Sequence, residues 1–96
     1  MPSLGVPGLA TSPNSPDKRW IPVLSSNVKA IMYDPGNARY KVPVPPRLFV
    51  RFRDGAVYQY LNVPRDVWQD FLGADSKGRF VYYNLTPSFS YSRVAL

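Results

Sequence analysis

The sequence has no cysteine, no histidine and no glutamate among its 96 residues. Without cysteine it forms neither a disulfide nor a thiolate zinc site, and without histidine it lacks the usual general base and the commonest metal ligand. The aspartates outside the N-terminal segment stand beside turns or helix starts, and no serine has a base placed to activate it. The composition therefore predicts a protein that is not an enzyme and uses no cofactor and no metal, with the neighbours Ser76 and Lys77 as the remaining catalytic alternative.

Long apolar runs and negative charge are scarce as well. No apolar stretch approaches the roughly 18–20 residues of a membrane span, and the N-terminus lacks the basic start and apolar region of a signal peptide. Twelve lysines and arginines against six aspartates give a net charge of +6, which favours anionic partners. We expect a cytoplasmic or virion-associated protein without membrane contact, whose partners are other protein subunits or, in the alternative, nucleic acid.

Proline dominates the beginning of the chain. Pro2, Pro7, Pro13, Pro16 and Pro22 stand among glycines and serines, and proline both removes a backbone donor and keeps its predecessor extended. This composition predicts an extended arm over residues 1–24, followed by one domain over residues 25–96. The apolar arm residues that are candidates for partner binding are Leu4, Val6, Leu9, Trp20 and Ile21. In a competing interpretation, Trp20 and Ile21 fold back onto their own domain.

The domain is predicted to be α+β: a small three-stranded antiparallel meander packed by two short helices. A first strand covers residues 25–34, and a proline-rich excursion at 35–47 leads to a hairpin over 47–61. A helix over residues 64–72 carries the apolar stripe Val67, Trp68, Phe71 and Leu72. Ser76 is a candidate cap for a second helix that Pro87 must end. The alternating tail at 89–94 is compatible with an additional edge strand.

Asp54 and Gly55 form a strong hairpin signal with two possible registers. A two-residue turn pairs Phe52 with Val57 and leaves Tyr58 and Tyr60 on the face opposite Phe52. A three-residue loop with Gly55 in the left-handed bulge position pairs Phe52 with Ala56 and moves both tyrosines to the face of Phe52.

The two registers make different predictions about nucleic-acid binding. In the two-residue register, Arg47, Arg51 and Arg53 interleave with aromatic rings, including Phe49, on one basic and aromatic sheet face. In the bulged register the tyrosines are core, and only Phe49, Arg51 and Arg53 point outward. Lys77 and Arg79, at the start of the second helix, form a weaker candidate anion site.

Residues that together carry a family resemblance follow one another in a specific order and spacing along the domain. They are Ser25, Ser26, Asn27, Val28, Ala30, Ile31, Tyr33, Asp34, Leu48, Val50, Phe52, Gly55, Tyr58, Tyr60, Val63, Pro64, Ser76, Gly78, Tyr91, Arg93 and Val94. This order resembles the KTSC domain, named for the C-terminus of some lysyl-tRNA synthetases and also found alone in bacterial and phage proteins. The resemblance implies a compact α+β domain of three strands and two short helices, without known catalysis and with a suggested role in RNA binding. The chain departs from the family in its longer connection at 35–47 and in carrying Thr86 near a position that tends to be basic.

The resemblance favours the bulged register, because that register places Val50, Phe52, Tyr58 and Tyr60 on one buried face of a half-exposed sheet. We therefore expect a non-enzymatic interaction module that docks onto a larger assembly through its arm, such as a phage capsid or tail. The alternative is a module that binds single-stranded RNA or DNA through a basic and aromatic sheet face.

Overall fold

The computed structural model describes residues 19–95, so the predicted anchors Leu4, Val6 and Leu9 lie outside the described residues. The elements, in chain order, are β1 (Ile21–Pro22), β2 (Val28–Asp34), β3 (Arg47–Phe52), β4 (Val57–Leu61), α1 (Arg65–Gly73), α2 (Lys77–Phe80), a π-helical turn (Val81–Leu85) and β5 (Tyr91–Val94). The predicted α+β class with two short helices is confirmed, and the second helix continues into the π-helical turn.

Over the described residues 19–95, the sheet has five strands, in the order β1-β2-β3-β4-β5, and every neighbouring pair is antiparallel. The prediction of three strands was therefore wrong. β1 was missed because it has two residues and contains Pro22, and a proline is tolerated only at an edge such as this one. Ile21 pairs with Ile31, so the sheet begins inside the range predicted as arm. On the other edge, β5 confirms the additional edge strand that the alternating tail had suggested.

The hairpin between β3 and β4 adopts the bulged register. Phe52 N donates to Ala56 O over 2.8 Å, Gly55 N donates to Phe52 O over 3.0 Å, and Gly55 has a φ of 95°. Val50 consequently pairs with Tyr58. The three-residue loop is confirmed, and the tyrosines share a face with Val50 and Phe52.

The core lies between that sheet face and the two helical segments. Trp68 and Phe71 of α1 are buried against it, and Trp68 stacks on Tyr33 with ring centroids 5.3 Å apart. Phe71 stacks on Phe80 at 5.0 Å and so connects α1 to α2. The predicted helix is confirmed, although Leu72 is 41% exposed and the stripe is correspondingly narrower.

The opposite sheet face, which we call the outer face, is also largely closed to solvent. Ala30, Met32, Phe49 and Val57 are between 4% and 7% exposed, although none belongs to the core cluster on the other side. The expectation of a half-exposed sheet with one buried side was therefore wrong for this part of the sheet. Alternation along β3 assigned Phe49 to the outer face correctly, but it carries no information about what covers a face.

The proline-rich excursion contains one antiparallel bridge. Asn37 N donates to Val44 O over 2.8 Å, and Val44 N donates to Asn37 O over 2.9 Å. Tyr40 and Val42, between the bridged residues, are exposed. The excursion therefore extends away from the core, and the core is covered by the two helices.

Candidate functional site: the tyrosine cleft

The arginines predicted to form a binding platform are mostly engaged within the molecule. Arg47 Nη2 forms an ion pair with Asp34 Oδ2 at 3.0 Å, and Asp34 is buried. The Arg51 guanidinium lies 4.3 Å from the ring centroid of Trp20. Arg53 Nε donates to the Ser25 carbonyl oxygen over 2.8 Å.

Phe49 and Lys77 are unsuited to the roles predicted for them. Phe49 lies on the outer face, as predicted, but it is 4% exposed, so its ring face is closed to a stacking base. Lys77 Nζ donates to the carbonyl oxygens of Leu72 and Ala74, at 3.1 and 2.5 Å, where it satisfies the end of α1. Arg79 is exposed, and its side chain has no hydrogen-bond or ion-pair partner among residues 19–95. Of the six predicted residues, Arg79 is the best placed for a ligand.

A concave surface that was not predicted lies where the β4–β5 end of the sheet meets the π-helical turn. This tyrosine cleft has a volume of about 480 Å³. Its lining residues are Asn27, Phe52, Asp54, Ala56, Tyr58, Tyr60, Gly78, Val81, Tyr82, Thr86, Tyr91 and Arg93. The cleft is therefore mainly aromatic, with few charged groups at its rim.

The bulged register supplies the tyrosines on the sheet side of the cleft. Tyr58 packs edge-on against Phe52 at 5.8 Å between ring centroids. Tyr91, contributed by β5, lies 6.0 Å from Tyr58 and 5.4 Å from Tyr60. Tyr91 is 48% exposed while Tyr60 is 2% exposed, so the cluster runs from the core to solvent.

Tyr60 fixes the base of the cleft. Its hydroxyl shares a hydrogen bond of 3.2 Å with Thr86 Oγ1. Burial raises the pKa of Tyr60 above its ordinary value, and the hydrogen bond with Thr86 opposes that shift. The hydroxyl is therefore neutral at physiological pH and acts as a hydrogen-bonding group, without the character of a general base.

The π-helical turn supplies the other wall. Thr86 N donates to Val81 O over 2.9 Å, five residues back, and the wider turn still buries Val81 and Leu85. Tyr82 and Tyr83 are left 69% and 67% exposed, in edge-to-face contact at 4.9 Å. Single π-helical turns of this kind occur frequently at functional sites.

The cleft continues past Asn27 into a second depression. Asn27, Gly78 and Tyr82 line both concavities, and Arg79 and Tyr83 line only the second. A Cβ on Gly78 would lie 3.4 Å from Asn27 Nδ2, so the Asn27 amide lies in contact distance of the start of α2. One surface therefore leads from Arg93 past the tyrosines to Arg79.

Two charged residues flank the cleft itself. Arg93 is exposed, and its side chain has no ion pair or hydrogen bond within the described range. Asp54 Oδ1 accepts a hydrogen bond from Ala56 N at 2.9 Å and so belongs to the hairpin loop.

Residues 19–95 include no cluster of acidic residues that could hold a metal ion, and none of their helices is long and apolar enough to cross a membrane. The chemistry available is stacking, hydrogen bonding and cation contact.

One sequence signal pointed to this cleft. Asn27, Tyr58, Gly78, Tyr91 and Arg93 are among the residues that carry the KTSC resemblance, and all five line the cleft. None of them belongs to the fully buried core. Residues of a family pattern that lie outside the core and are polar, such as Asn27 and Arg93, are candidates for a shared surface.

Comparison with known proteins agrees with the fold. The model of the KTSC domain family matches residues 24–89. A protein from Tsukamurella paurometabola is 41% identical over 68 residues, which cover 71% of this chain and 90% of that protein. The crystal structure of a KTSC domain protein from Yersinia pestis superposes with a TM-score of 0.67 at 35% identity and covers 80% of this chain and 97% of that one. The chain therefore belongs to the KTSC domain family.

Proposed function

We propose that the protein is a non-enzymatic binding module whose tyrosine cleft binds single-stranded RNA or DNA. The observation that supports this proposal most directly is the continuous surface on which exposed Tyr82, Tyr83 and Tyr91 lie between Arg93 and Arg79. Aromatic faces stack on unpaired bases, and arginines between or beside them neutralise phosphates.

The shape of the surface favours a single strand over a duplex. Tyr58 lies inside a concavity and is only partly buried, so only a base that is splayed out of its stack has access to its edge. Asn27 offers an amide at the junction of the two depressions, where it is able to hydrogen-bond a base edge. The net charge of +6 adds a long-range attraction to any phosphate backbone.

The test is titration of a labelled oligouridylate or oligothymidylate at low salt, followed by fluorescence anisotropy. Tyr82→Ala and Arg93→Gln are each expected to weaken binding about tenfold, because one stack or one phosphate contact is worth about 1–3 kcal/mol. Tyr40→Ala is the matched control, since Tyr40 is also exposed but lies in the excursion.

The alternative predicted from the sequence, binding at a basic and aromatic sheet face, is distinguished by the same assay. If the outer face were the site, Arg51→Ala together with Arg53→Ala would weaken binding while Tyr82→Ala would not. Absence of binding at low salt, or equal affinities for Tyr82→Ala and Tyr40→Ala, would reject the tyrosine cleft as a nucleic-acid site.

A second candidate function is docking onto a larger assembly, such as a phage virion, through the N-terminal segment. Its support is the position of β1: Ile21 pairs at the sheet edge yet is 41% exposed, where the side chain is available to a neighbouring subunit. In gradient sedimentation of lysates, the full chain is expected to migrate with a particle, and Leu4→Ser, Val6→Ser and Leu9→Ser together are expected to release it. Unchanged sedimentation of a correctly folded triple variant would contradict this role.

A further inference from the structure

A second concavity lies at the opposite edge of the sheet, between β1 and α1. This tryptophan groove has a volume of about 380 Å³, and its main lining residues are Trp20, Ile21, Tyr33, Arg65, Trp68 and Leu72. Among residues 19–95, it shares no lining residue with the tyrosine cleft. A ligand of the groove therefore makes contacts independent of those made by a ligand of the cleft.

The floor of the groove is aromatic and rigid. The rings of Tyr33 and Trp68 are stacked, 5.3 Å apart and inclined by 9°. The Tyr33 hydroxyl donates to Val63 O over 2.8 Å, which fixes its ring from the buried side. Ile21 and Leu72, on the rim, are each 41% exposed. This arrangement suits a short apolar or proline side chain that packs on the aromatic floor of the groove.

The charge at the groove is positive. The Arg65 guanidinium lies 5.7 Å from the Tyr33 ring centroid, and Arg19 also lines the groove. No acidic residue is among the lining residues that the structure describes. Of the nearby carboxylates, Asp34 is paired with Arg47, and Asp66 lies in the first turn of α1, next to Arg65. Charge complementarity therefore selects a ligand that carries carboxylates beside its apolar group.

We propose that the tryptophan groove is a docking site for an acidic segment of a protein partner, in which one apolar side chain packs on the aromatic floor and a flanking carboxylate contacts Arg65. The chain's own residues 1–18 fit this description poorly, because their single carboxylate is Asp17, two positions before Arg19. The site is independent of nucleic-acid binding at the tyrosine cleft.

Intrinsic fluorescence provides a selective test, because the chain has two tryptophans and both line this groove. The probe is the capped hexapeptide Asp-Glu-Leu-Pro-Glu-Asp, which contains no aromatic residue, titrated into the full chain. We expect a saturable change in tryptophan emission. The same peptide with asparagine and glutamine in place of its carboxylates is expected to bind at least about tenfold more weakly, because charge-assisted hydrogen bonds are lost.

Two variants check the position of the site. Arg65→Gln is expected to weaken peptide binding about tenfold, and Leu72→Ser is expected to weaken it through the loss of the apolar rim. Arg39→Gln is the charge-matched control, since Arg39 is exposed and lies in the excursion. Unchanged emission up to millimolar peptide, equal binding of the neutral peptide, or equal affinities for Arg65→Gln and Arg39→Gln would each overturn the proposal. An oligonucleotide that displaces the peptide from the groove would assign the groove to nucleic acid and overturn it as well.

Discussion

At the scale of single residues, Gly36 is the glycine, among those in the described part of the chain, where the backbone admits least change. Its φ is 71°, and a Cβ there would collide with the carbonyl group of Val44 and with Pro45. Gly36→Ala therefore combines left-handed strain with a clash against backbone, and we expect a loss of about 2–4 kcal/mol in the free energy of unfolding, measured in urea. Gly55→Ala is the control: its φ of 95° is also strained, but no atom of residues 19–95 outside the hairpin turn itself lies within 4 Å of the added Cβ. Equal losses for the two variants would show that the contact with Val44 contributes nothing.

Tyr60 should make stability depend on pH in the alkaline range. Its pKa is raised in the folded state by burial, so between the unfolded pKa of about 10 and the higher folded pKa only the unfolded state ionises. Its contribution to the free energy of unfolding is thus complete below about pH 10 and decreases as pH rises through that window. At pH 8, Tyr60→Phe is expected to lower the free energy of unfolding by about 1 kcal/mol, because it removes the hydrogen bond to Thr86. Above pH 10 the same substitution is expected to lower it by less.

Urea unfolding of the wild type and the variant at pH 8 and above pH 10 measures this difference. Tyr83→Phe serves as the control, because Tyr83 is 67% exposed and its hydroxyl has no hydrogen-bond partner among residues 19–95. A stability difference between wild type and Tyr60→Phe that is independent of pH would contradict the assigned effect of burial.

At the scale of elements, local signals predicted the hairpin and the helices but not every strand. Asp54 and Gly55 set the hairpin because their preferences act within a few residues, but they left two registers open, and the KTSC resemblance favoured the bulged one that the structure has. β1 left no such signal: a two-residue edge strand with Pro22 shows no alternation. The burial of Phe49 depends on what lies above the outer face, which periodicity within β3 does not report.

The tyrosine cleft escaped prediction for a related reason. Asn27, Tyr82 and Arg93 are far apart in sequence and meet only after the sheet closes against the helical layer. The π-helical turn that exposes Tyr82 follows from a hydrogen bond between Thr86 and Val81, and no residue in that segment distinguishes it from an ordinary helical turn. Long-range packing, absent from any local pattern, therefore determines the candidate site.

The start of α2 is expected to control the shape of the cleft. Ser76 Oγ accepts a hydrogen bond from Arg79 N over 3.2 Å, so Ser76→Ala removes the cap and should cost about 1 kcal/mol. Because α2 leads directly into the turn that presents Tyr82, amide exchange should accelerate at residues 79–82, and oligonucleotide affinity should fall with it. Ser88→Ala is the control, since the Ser88 hydroxyl forms no hydrogen bond within the described part of the chain. Faster exchange without weaker binding would separate α2 from the site.

At the scale of the whole molecule, the positive charge is divided between internal and available cations. Arg47, Arg53 and Lys77 bond to Asp34 or to backbone carbonyl groups and so stabilise the fold. Arg79 and Arg93 flank the surface that contains the tyrosine cleft. Net charge alone therefore describes the long-range attraction of the molecule, and the position of each cation decides which ones meet a phosphate.

Salt dependence separates these two contributions. Binding of a single strand through Arg79 and Arg93 should give a slope of log K against log salt near about −1.4, at about 0.7 per phosphate neutralised. Arg93→Gln and Lys41→Gln each lower the net charge of +6 by one, so the long-range attraction changes equally in both. Only Arg93→Gln is expected to reduce the slope, by about 0.7, because Lys41 lies in the excursion and meets no phosphate of the bound strand. If both variants reduce the slope equally, net charge governs binding and the strand has no fixed position on the tyrosine cleft.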